Sequence, residues 1–491
     1  MRLRRVVDRR RGWSGRPPLG ASKISFFSDS SVPVLLASCF GSLLLLVGCS
    51  SANANIPLAK DQLHNVSLTA AGEATTGLKQ GPTEEEDTSV PAVAESPAFS
   101  ASLVQTPRTE KRNVVLVHLE STRAQSVTPY NQDLQTTPFL NELATESIVT
   151  ERTHVIVPRS SKGSTAVNCG VEPALYAGPE YEPGSISAPC LASLLKEQGY
   201  RTVWFQSLWD YGSDRMLAEN FGYEKFYPAQ SMNAEDFRVT NTFGYEDDIM
   251  LEPSEQWLEI YGNDDPFLAQ YFTGTGHYDY QCVPNRYGYE YFSENEELDR
   301  YHNCLRMLDF FVKNLMDQYK EMGLYEDTIF VIFGDHGEGF GEHGRSMHGD
   351  TIYDEGLRIP LIIHDPRRFE DGERVEGLSS QIDILPTVLE MLGYTVRNGE
   401  YPGYSLLREP PEDRALRFSC ITKRTCMASI QGYEKYIYHY ENQPDELFDL
   451  SEDPLEQNDR AGSLSSEELE ERREYLLEWR TRVNAVYGGE E

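Results

Sequence analysis

Acidic and imidazole side chains follow two apolar segments of this 491-residue chain, at the point where each segment ends. Glu120-Ser121-Thr122-Arg123 comes directly after Asn113–Leu119, and Gly334-Asp335-His336-Gly337 follows the run that ends at Phe333. A single Glu at a strand end, or a single Asp-His-Gly turn, is common in proteins without a bound ligand. The prediction of a metal site therefore rests on the presence of both motifs. Two carboxylates and an imidazole form a mixed oxygen and nitrogen set for one divalent ion, which favours manganese or zinc and leaves calcium or magnesium open.

Hydroxyl and imidazole groups elsewhere in the chain are the other candidates for chemistry. The stretch 160–165 holds four Ser or Thr residues and Lys162, and a hydroxyl activated by a metal can act as a nucleophile. His277 follows another apolar run, and His348 lies in Glu342–Gly349. Either histidine can donate to ester oxygens or to a leaving group. The alternatives are an ordinary polar loop and two structural histidines.

The elements that must position these side chains alternate between strands and helices. Continuous apolar runs predict strands buried on both faces, and apolar residues at helical spacing predict helices. A doubly wound α/β sandwich follows, with reactive groups at the carboxyl ends of its parallel strands. The predicted strands are 113–119, 200–206, 266–273 and 328–333, and the predicted helices are 137–144 and 294–319.

Several segments together resemble the sulfatase family of the alkaline phosphatase superfamily. FGDHGEGFGEHGRSMHGDTIYDEGLRIPLII is similar to the family segment in which Asp and His bind the metal and a later Lys or His meets the ester oxyanion. SSQIDILPTVLEMLG and LFDLSEDPLEQND also match, and the motifs span about residues 112–462. The resemblance implies an alkaline-phosphatase-like sandwich, with a largely parallel central sheet, helices on both faces and a smaller C-terminal subdomain over about 400–485.

The family's nucleophile lies in Cys-x-Pro-x-Arg, where Cys or Ser is oxidised to formylglycine. Aligned without gaps on Gly170, that position falls on Ser160, and Lys162 and Ser164 replace the Pro and Arg. The maturation signal is therefore absent, and we expect an unmodified serine, with Ser161 or Thr165 as alternatives if the alignment slips. The expected metal ligands are Glu120, Ser160, Asp335 and His336, and the expected catalytic residues are Ser160, His277, His348 and Lys162.

The missing maturation signal also bears on the reaction. Lipoteichoic acid synthases and phosphoethanolamine transferases of the same superfamily keep a hydroxyl residue and a Glu-Ser after the first strand, as in Glu120-Ser121. The resemblance thus implies a metal-dependent hydrolase or transferase acting on a phosphate or sulfate ester, with phosphoryl chemistry favoured. A sulfuric ester hydrolase and a lipid-anchored pseudoenzyme that binds glycans or lipids remain alternatives. The sequence does not distinguish a glycan, a lipid head group and a small ester as the substrate.

The N-terminal region predicts export and a lipid anchor. A basic start precedes the apolar run 32–47, which ends in Leu46-Val47-Gly48-Cys49, similar to the lipobox of bacterial lipoproteins. We expect a signal peptide over 1–48, lipid on Cys49 and a disordered tether rich in Ser, Thr, Pro and Glu over 49–111. The catalytic domain, over 112–485, would be periplasmic or extracellular. A weaker match at 36–39 and an uncleaved anchor helix are the alternatives.

Net charge and cysteine content limit which partners and which cellular compartment are possible. The net charge of −34 would repel nucleic acid, so no nucleic-acid partner is expected, although acidity also keeps an exported protein soluble. Six cysteines remain once Cys39 and Cys49 are discounted, and an even number suits an oxidising compartment. The simplest of the possible pairings is local: 169–190, 282–304 and 420–426.

Overall fold

A computed structural model describes residues 100–186, 188–349, 351–421 and 425–488. The predicted signal peptide, the candidate lipidation site Cys49 and residues 50–99 of the predicted tether lie outside the described residues. None of the described helices is both long enough and apolar enough to cross a membrane.

Strands and helices alternate through most of the described chain. The strands are β1 Ser102–Gln105, β2 Asn113–Leu119, β3 Ile148–His154, β4 Arg201–Gln206, β5 Lys225–Tyr227, β6 Val239–Asn241, β7 Gly244–Tyr245, β8 Phe267–Phe272, β9 Thr328–Gly334, β10 Gly339–Phe340, β11 Ser346–Met347, β12 Arg358–Ile359, β13 Leu361–His364, β14 Glu373–Ser380, β15 Tyr394–Arg397, β16 Ala415–Ser419, β17 Cys426–Gln431, β18 Glu434–His439 and β19 Glu446–Asp449. The helices are α1 Pro138–Leu143, α2 Ser160–Cys169, α3 Leu191–Glu197, α4 Ser213–Phe221, α5 Leu251–Tyr261, α6 Pro284–Tyr287, α7 Glu296–Glu321, α8 Asp354–Leu357, α9 Ile384–Met391 and α10 Ser466–Val486.

The central sheet has nine strands and is largely parallel. Its spatial order is β12-β3-β13-β9-β2-β8-β4-β5, and β14 pairs in parallel with β3. The strands β9, β2, β8, β4 and β5 run in parallel, whereas β13 is antiparallel to both of its neighbours. Every residue of β2 and β9 is buried, because these continuous apolar runs lie at the centre with helices on both faces. This arrangement confirms the predicted α/β sandwich.

The two faces of the sheet pack against different helices. Alternate residues of one strand point to opposite faces, so Val114 and Val115 belong to separate cores. Val114 packs with apolar residues of α2, α3 and α9, whereas Val115 packs with those of α1, α5 and α7. The long helix α7 begins at an Asn295 cap, whose side chain accepts from the backbone N–H groups of Glu297 and Leu298.

A four-stranded antiparallel sheet, in the order β16-β17-β18-β19, forms the smaller C-terminal part of the fold. The helix α10 packs on it through Leu476, Trp479 and Val483, which are buried against Met427 and Tyr436. A capping box starts this helix, with Ser465 and Glu468 bonding to each other's backbone N–H groups. The prediction of a smaller C-terminal subdomain is thus confirmed.

The end of the predicted tether is ordered, which corrects the expectation for that part of residues 49–111. Ser102–Gln105 forms β1 and pairs antiparallel with β15, so that Leu103 lies opposite Val396. The hydroxyls of Thr106 and Thr109 then donate to the carbonyl of Gly393. The Leu103 side chain is buried in the core. The mostly polar composition of the surrounding segment gave no indication of this burial.

The three local disulfides predicted from the cysteine spacing are present in the structure. They join Cys169 to Cys190, Cys282 to Cys304 and Cys420 to Cys426. The first bridge ties the carboxyl end of α2 to the start of α3, so it fixes the far end of the helix that begins at Ser160.

Candidate active site

Two carboxylates meet because β2 and β9 are parallel neighbours in register. Leu119 lies opposite Gly334, so Glu120 and Asp335 leave the sheet side by side, and both are fully buried. The backbone N–H groups of Ser121 and His336 donate to Oδ1 of Asp335, each at 2.7 Å. These bonds orient the carboxylate and leave its Oδ2 for another partner.

Ser160 is the first residue of α2, which points its amino end at the two carboxylates. Its Oγ lies 3.2 Å from Oε2 of Glu120 and 3.2 Å from Nε2 of His336. The helix approaches closely because residue 163 is glycine: a Cβ there would lie 2.7 Å from the carbonyl oxygen of Asp335. The Gln381 carboxamide, which also lies next to Gly163, donates to that same carbonyl at 2.8 Å.

His336 presents one nitrogen to this cluster. Its Nδ1 donates to the carbonyl oxygen of Gly337 at 2.8 Å, so the Nε2 lone pair points to the centre. Nε2 lies 3.2 Å from Oδ2 of Asp335 and 3.6 Å from Oε1 of Glu120. Burial, followed by the nearby His348, lowers the pKa of His336 to about 3, and a neutral imidazole is the form that binds metal.

His118 is a candidate ligand that the sequence reasoning missed. Its ring lies beside Asp335, with Nε2 at 3.4 Å from Oδ2, and its ligand atom, those of Glu120 and of Asp335 lie within 4.8 Å of one another. Neither ring nitrogen makes a hydrogen bond to any described residue. A histidine within a buried apolar strand has the sequence pattern of a structural core residue, so His118 was not predicted as a ligand. The signal available was its two-residue spacing from Glu120, which places both side chains on one face.

The donor groups fit one divalent ion. Oδ2 of Asp335 is buried and has no hydrogen-bond partner in the described chain, although a buried carboxylate oxygen normally has one. Around it lie a second carboxylate, the Ser160 hydroxyl and the His336 imidazole, and Nε2 of His118 lies 3.4 Å from it. A mixed set of oxygen and nitrogen donors suits manganese or zinc. The structure therefore brings the four predicted ligands together in a space that a cation would complete.

His277 and His348 both line the cleft that opens above this cluster, a cavity of about 490 Å³. The His348 ring lies 3.9 Å from that of His336 and 6.2 Å from that of His277, measured between centroids. Burial opposes protonation of His348, but Glu338, whose Oε2 lies 3.3 Å from Nδ1, outweighs it and raises the pKa. Nδ1 of His277 bonds the carbonyl of Tyr278, which leaves Nε2 facing the cleft. Both histidines are placed to contact a bound ester.

Lys162, predicted as a catalytic residue, does not reach the cleft, and that prediction is corrected. Two residues along a helix from Ser160, it points to the other side of α2. Its buried ammonium group bonds the carbonyl of Tyr176 at 2.6 Å and Oε2 of Glu180 at 2.5 Å. Ser161 also donates to Glu180, and Thr165 donates to the carbonyl of Ser161, so Ser160 is the hydroxyl that faces the cluster.

The cleft walls come from stretches in which the sequence showed no pattern. Trp209, Tyr211, Asp214 and Phe243 lie within 207–265, and further residues come from both sides of it in the chain. The lining also includes Arg159 and Tyr278. Loop side chains of this kind carry no periodicity, so their convergence depends on the sheet that holds the loops.

Comparison with known proteins agrees with this geometry. The sulfatase family profile matches residues 112–394, more than half of the chain. Lipoteichoic acid synthase-like YvgJ of Bacillus subtilis is 25% identical over 319 residues, which are 60% of this chain and 50% of that protein. The ulvan-active sulfatase of Formosa agariphila is 24% identical over 408 residues, 73% of this chain and 79% of that protein.

A solved structure shows the same fold. The crystal structure of an alkaline phosphatase superfamily protein from Vibrio parahaemolyticus has a TM-score of 0.64, at 17% identity, over 82% of this chain and 93% of that one. The similarity confirms the predicted alkaline-phosphatase-like fold. The chain spans about half the length of the lipoteichoic acid synthase relatives that it matches.

Proposed function

Because the chain belongs to the sulfatase family, we propose that it is a metal-dependent hydrolase or transferase that cleaves a phosphate ester with Ser160 as the nucleophile. One observation carries the proposal. The Ser160 hydroxyl lies 3.2 Å from both a carboxylate oxygen of Glu120 and Nε2 of His336. Oδ2 of Asp335, which has no hydrogen-bond partner among the described residues, belongs to the same cluster. A hydroxyl among ligand groups at the floor of a cleft is the arrangement that nucleophilic catalysis requires.

A divalent ion held by Glu120, Ser160, Asp335 and His336 would polarise the ester and lower the pKa of the serine hydroxyl, so that it ionises to solvent. Ser160 Oγ then forms a bond to phosphorus while the bond to the alcohol oxygen breaks. His277 and His348 face this point and donate hydrogen bonds to the non-bridging and leaving oxygens. Water or a second alcohol afterwards displaces Ser160, which makes the reaction hydrolysis or transfer.

Phosphorus is favoured over sulfur because residues 162 and 164 lack the Pro and Arg of the family's maturation signal. A sulfate-ester hydrolase is the second candidate, supported by the similarity to the ulvan-active sulfatase over 73% of the chain. A pseudoenzyme is disfavoured, since a binding protein has no need for a nucleophile held among metal ligands.

The mass of the tryptic peptide that contains Ser160 tests the chemistry. A plain serine, or one that gains phosphate after brief exposure to a phosphodiester, agrees with the proposal, whereas an aldehyde would restore the sulfatase mechanism. Ser160→Ala should abolish turnover of a panel of phosphodiester, phosphomonoester and sulfate chromogenic esters. Thr165→Val is the matched control: it also removes a hydroxyl of α2, but one that bonds only the backbone of Ser161. Full activity in Ser160→Ala would refute the assignment.

We further propose that the catalytic body is exported and held at a membrane by lipid on Cys49. The lipobox-like Leu46–Cys49 supports this proposal. Cys49→Ser should move the protein from the detergent phase to the aqueous phase. Unchanged partitioning would point to an uncleaved apolar helix as the anchor.

A further inference from the structure

The cleft has few positive charges for an enzyme of anionic esters. Among its described lining residues, the only Lys or Arg is Arg159, next to Ser160 in the chain, and its guanidinium forms no salt bridge in the described structure. His277 and His348 supply the other candidate cations, and both lie over the reacting centre. Within the described residues, the cleft therefore has charge complementarity for one anionic group at its floor and none along its walls.

One wall carries a carboxylate instead. Asp214 is the second residue of α4, and the Gln206 carboxamide holds its Oδ2 at 3.0 Å. Among the described residues Oδ1 has only the weak contact with Ser213, at 3.5 Å, so it keeps accepting capacity toward the cleft. Burial raises the pKa of Asp214, and the charges of Asp210 and then Glu120 add to this effect.

Aromatic rings line the same cleft as this carboxylate. Trp209 and Tyr211 lie on the loop before α4, and Phe243, whose carbonyl accepts from the backbone N–H of Trp209, packs against Tyr278. Tyr211 is 73% exposed, which is unusual for an aromatic side chain beside a cavity. Aromatic faces beside hydrogen-bond acceptors provide what a polyol needs, because its C–H face packs on a ring while its hydroxyls donate.

We propose that Asp214 is a specificity-determining residue that selects esters of neutral polyols, such as a sugar or glycerol, and disfavours esters that carry a second anionic group. A hydroxyl of the alcohol part donates to Oδ1 of Asp214, and its carbon skeleton packs on Trp209 and Tyr211. A second phosphate or sulfate on the same molecule would meet the carboxylate and be repelled. This inference rests on the proposed function and deepens it by naming the alcohol part of the substrate.

The test compares four phosphate esters, with the corresponding sulfates run in parallel: phenyl phosphate, glycerol 1-phosphate, glucose 6-phosphate and fructose 1,6-bisphosphate. Asp214→Ala should lower kcat/KM about tenfold for the glycerol and glucose esters, mainly through KM, as expected for one lost hydrogen bond to a charged group. Phenyl phosphate, which has no hydroxyl on its alcohol part, should change less than about twofold. The ratio of the two polyol losses tells whether sugar or glycerol fits better.

Asp214→Asn isolates the charge, because the amide keeps the size of the side chain. It should raise kcat/KM for the bisphosphate about tenfold relative to phenyl phosphate. Asp371→Asn, the same change at an exposed residue outside the cleft lining, controls for net charge and should leave all ratios unchanged. Equal losses on all four esters in both Asp214 variants would overturn the inference, since that is the result of a merely structural role.

Failure of the proposed function would be recognised separately, as absence of turnover of any ester by the wild type. In that case, binding of methyl α-glucoside and of glycerol is followed by tryptophan fluorescence. Binding by the wild type that is lost in Asp214→Ala would keep the polyol site, and binding that is absent or unaffected would remove it.

Discussion

Two buried clusters of charged and imidazole side chains differ in how completely their members are paired. The first is the candidate metal cluster, formed by His118, Glu120, Asp335 and His336. The second, here called the anchor cluster, joins Asp354 and His154 of the main body to Lys435 and Glu456 of the C-terminal part. Lys435 is fully buried and contacts Asp354 at 2.9 Å and Glu456 at 2.6 Å.

The anchor cluster has its own cation, and the metal cluster has none in the described chain. Burial opposes ionisation of Asp354, but Lys435, together with His154 and Arg358, outweighs it and holds the pKa of that carboxyl well below its usual range. In the metal cluster two carboxylates face two imidazoles, one of which burial keeps neutral. Buried charges are costly unless they are paired, so the pairing within the anchor cluster stabilises the fold, whereas the metal cluster needs a bound cation for the same effect. The same residue types thus serve structure or chemistry according to their pairing.

The largest expected effect comes from removing a charge from the metal cluster. Asp335→Asn should lower turnover at least about 1000-fold, because a lost metal ligand removes several kcal/mol of transition-state stabilisation. The metal-free protein should be as stable as the wild type or more so, since one unpaired buried charge is gone. Activity assays, metal content and urea unfolding in EDTA check both parts. Wild-type metal content in the variant would mean that the site is elsewhere.

The opposite result is expected in the anchor cluster. Lys435→Met should lower the free energy of unfolding by about 3–5 kcal/mol, because it leaves Asp354 and Glu456 buried without their cation. The double variant Lys435→Met with Asp354→Asn should recover part of that loss. The urea midpoint is the measurement, and Asp445→Asn, a change in the same region but outside this cluster, gives a comparison. An unchanged urea midpoint in Lys435→Met would contradict the claim that the anchor cluster, unlike the metal cluster, stabilises the fold.

Adding metal should stabilise the protein through the first cluster alone. At an Mn²⁺ or Zn²⁺ concentration of about 100 times Kd, the gain in the free energy of unfolding is about 2.7 kcal/mol. Thermal unfolding with and without the ion should show this gain in the wild type and in Lys162→Met, if that variant folds, but not in Asp335→Asn. An equal gain in Asp335→Asn would place the bound ion outside the cluster.

The smallest effect concerns pH and His343, beside the anchor cluster. Burial opposes protonation of His343, but Glu355 outweighs it, with the Glu456 carbonyl, and raises the pKa to about 9. Because protonated His343 is favoured in the folded state, it contributes its full stabilisation below the pKa of the unfolded state, about 6.5. This contribution to the free energy of unfolding is lost as the pH rises through about 9. The unfolding free energies of wild type and His343→Gln should therefore converge between pH 6.5 and 9. A constant difference would contradict this linkage.

The central strands and the candidate metal ligands other than His118 could be predicted from the sequence. β2 was predicted at its observed bounds, and β4, β8 and β9 were predicted within a residue at each end, because continuous apolar runs identify strands buried on both faces. Parallel strands then place Glu120 and Asp335 at one edge of the sheet. The helix predicted at 294–319 was also found, as Glu296–Glu321.

The remaining parts depend on tertiary contacts. The antiparallel strands β16 to β19 are partly exposed and short, so their pattern is weak. The side chain of Lys162 follows the helix and not the family alignment, and its partner Glu180 lies in a loop without periodicity. The role proposed for Asp214 likewise depends on Gln206 and on rings from distant segments, which no local pattern connects.

The bare backbone at Gly163 has a consequence for how this protein can diversify. The backbone of α2 contacts the backbone of Asp335 directly at Gly163, so no side chain there can be exchanged for one of slightly different size. Any larger residue at position 163 must displace the helix. The loop that carries Trp209 and Tyr211 has no such restriction, since Tyr211 faces solvent. Selection for a new ester should therefore accumulate changes in that loop, and a library that also randomises residue 163 should lose nearly all of its active members at that position.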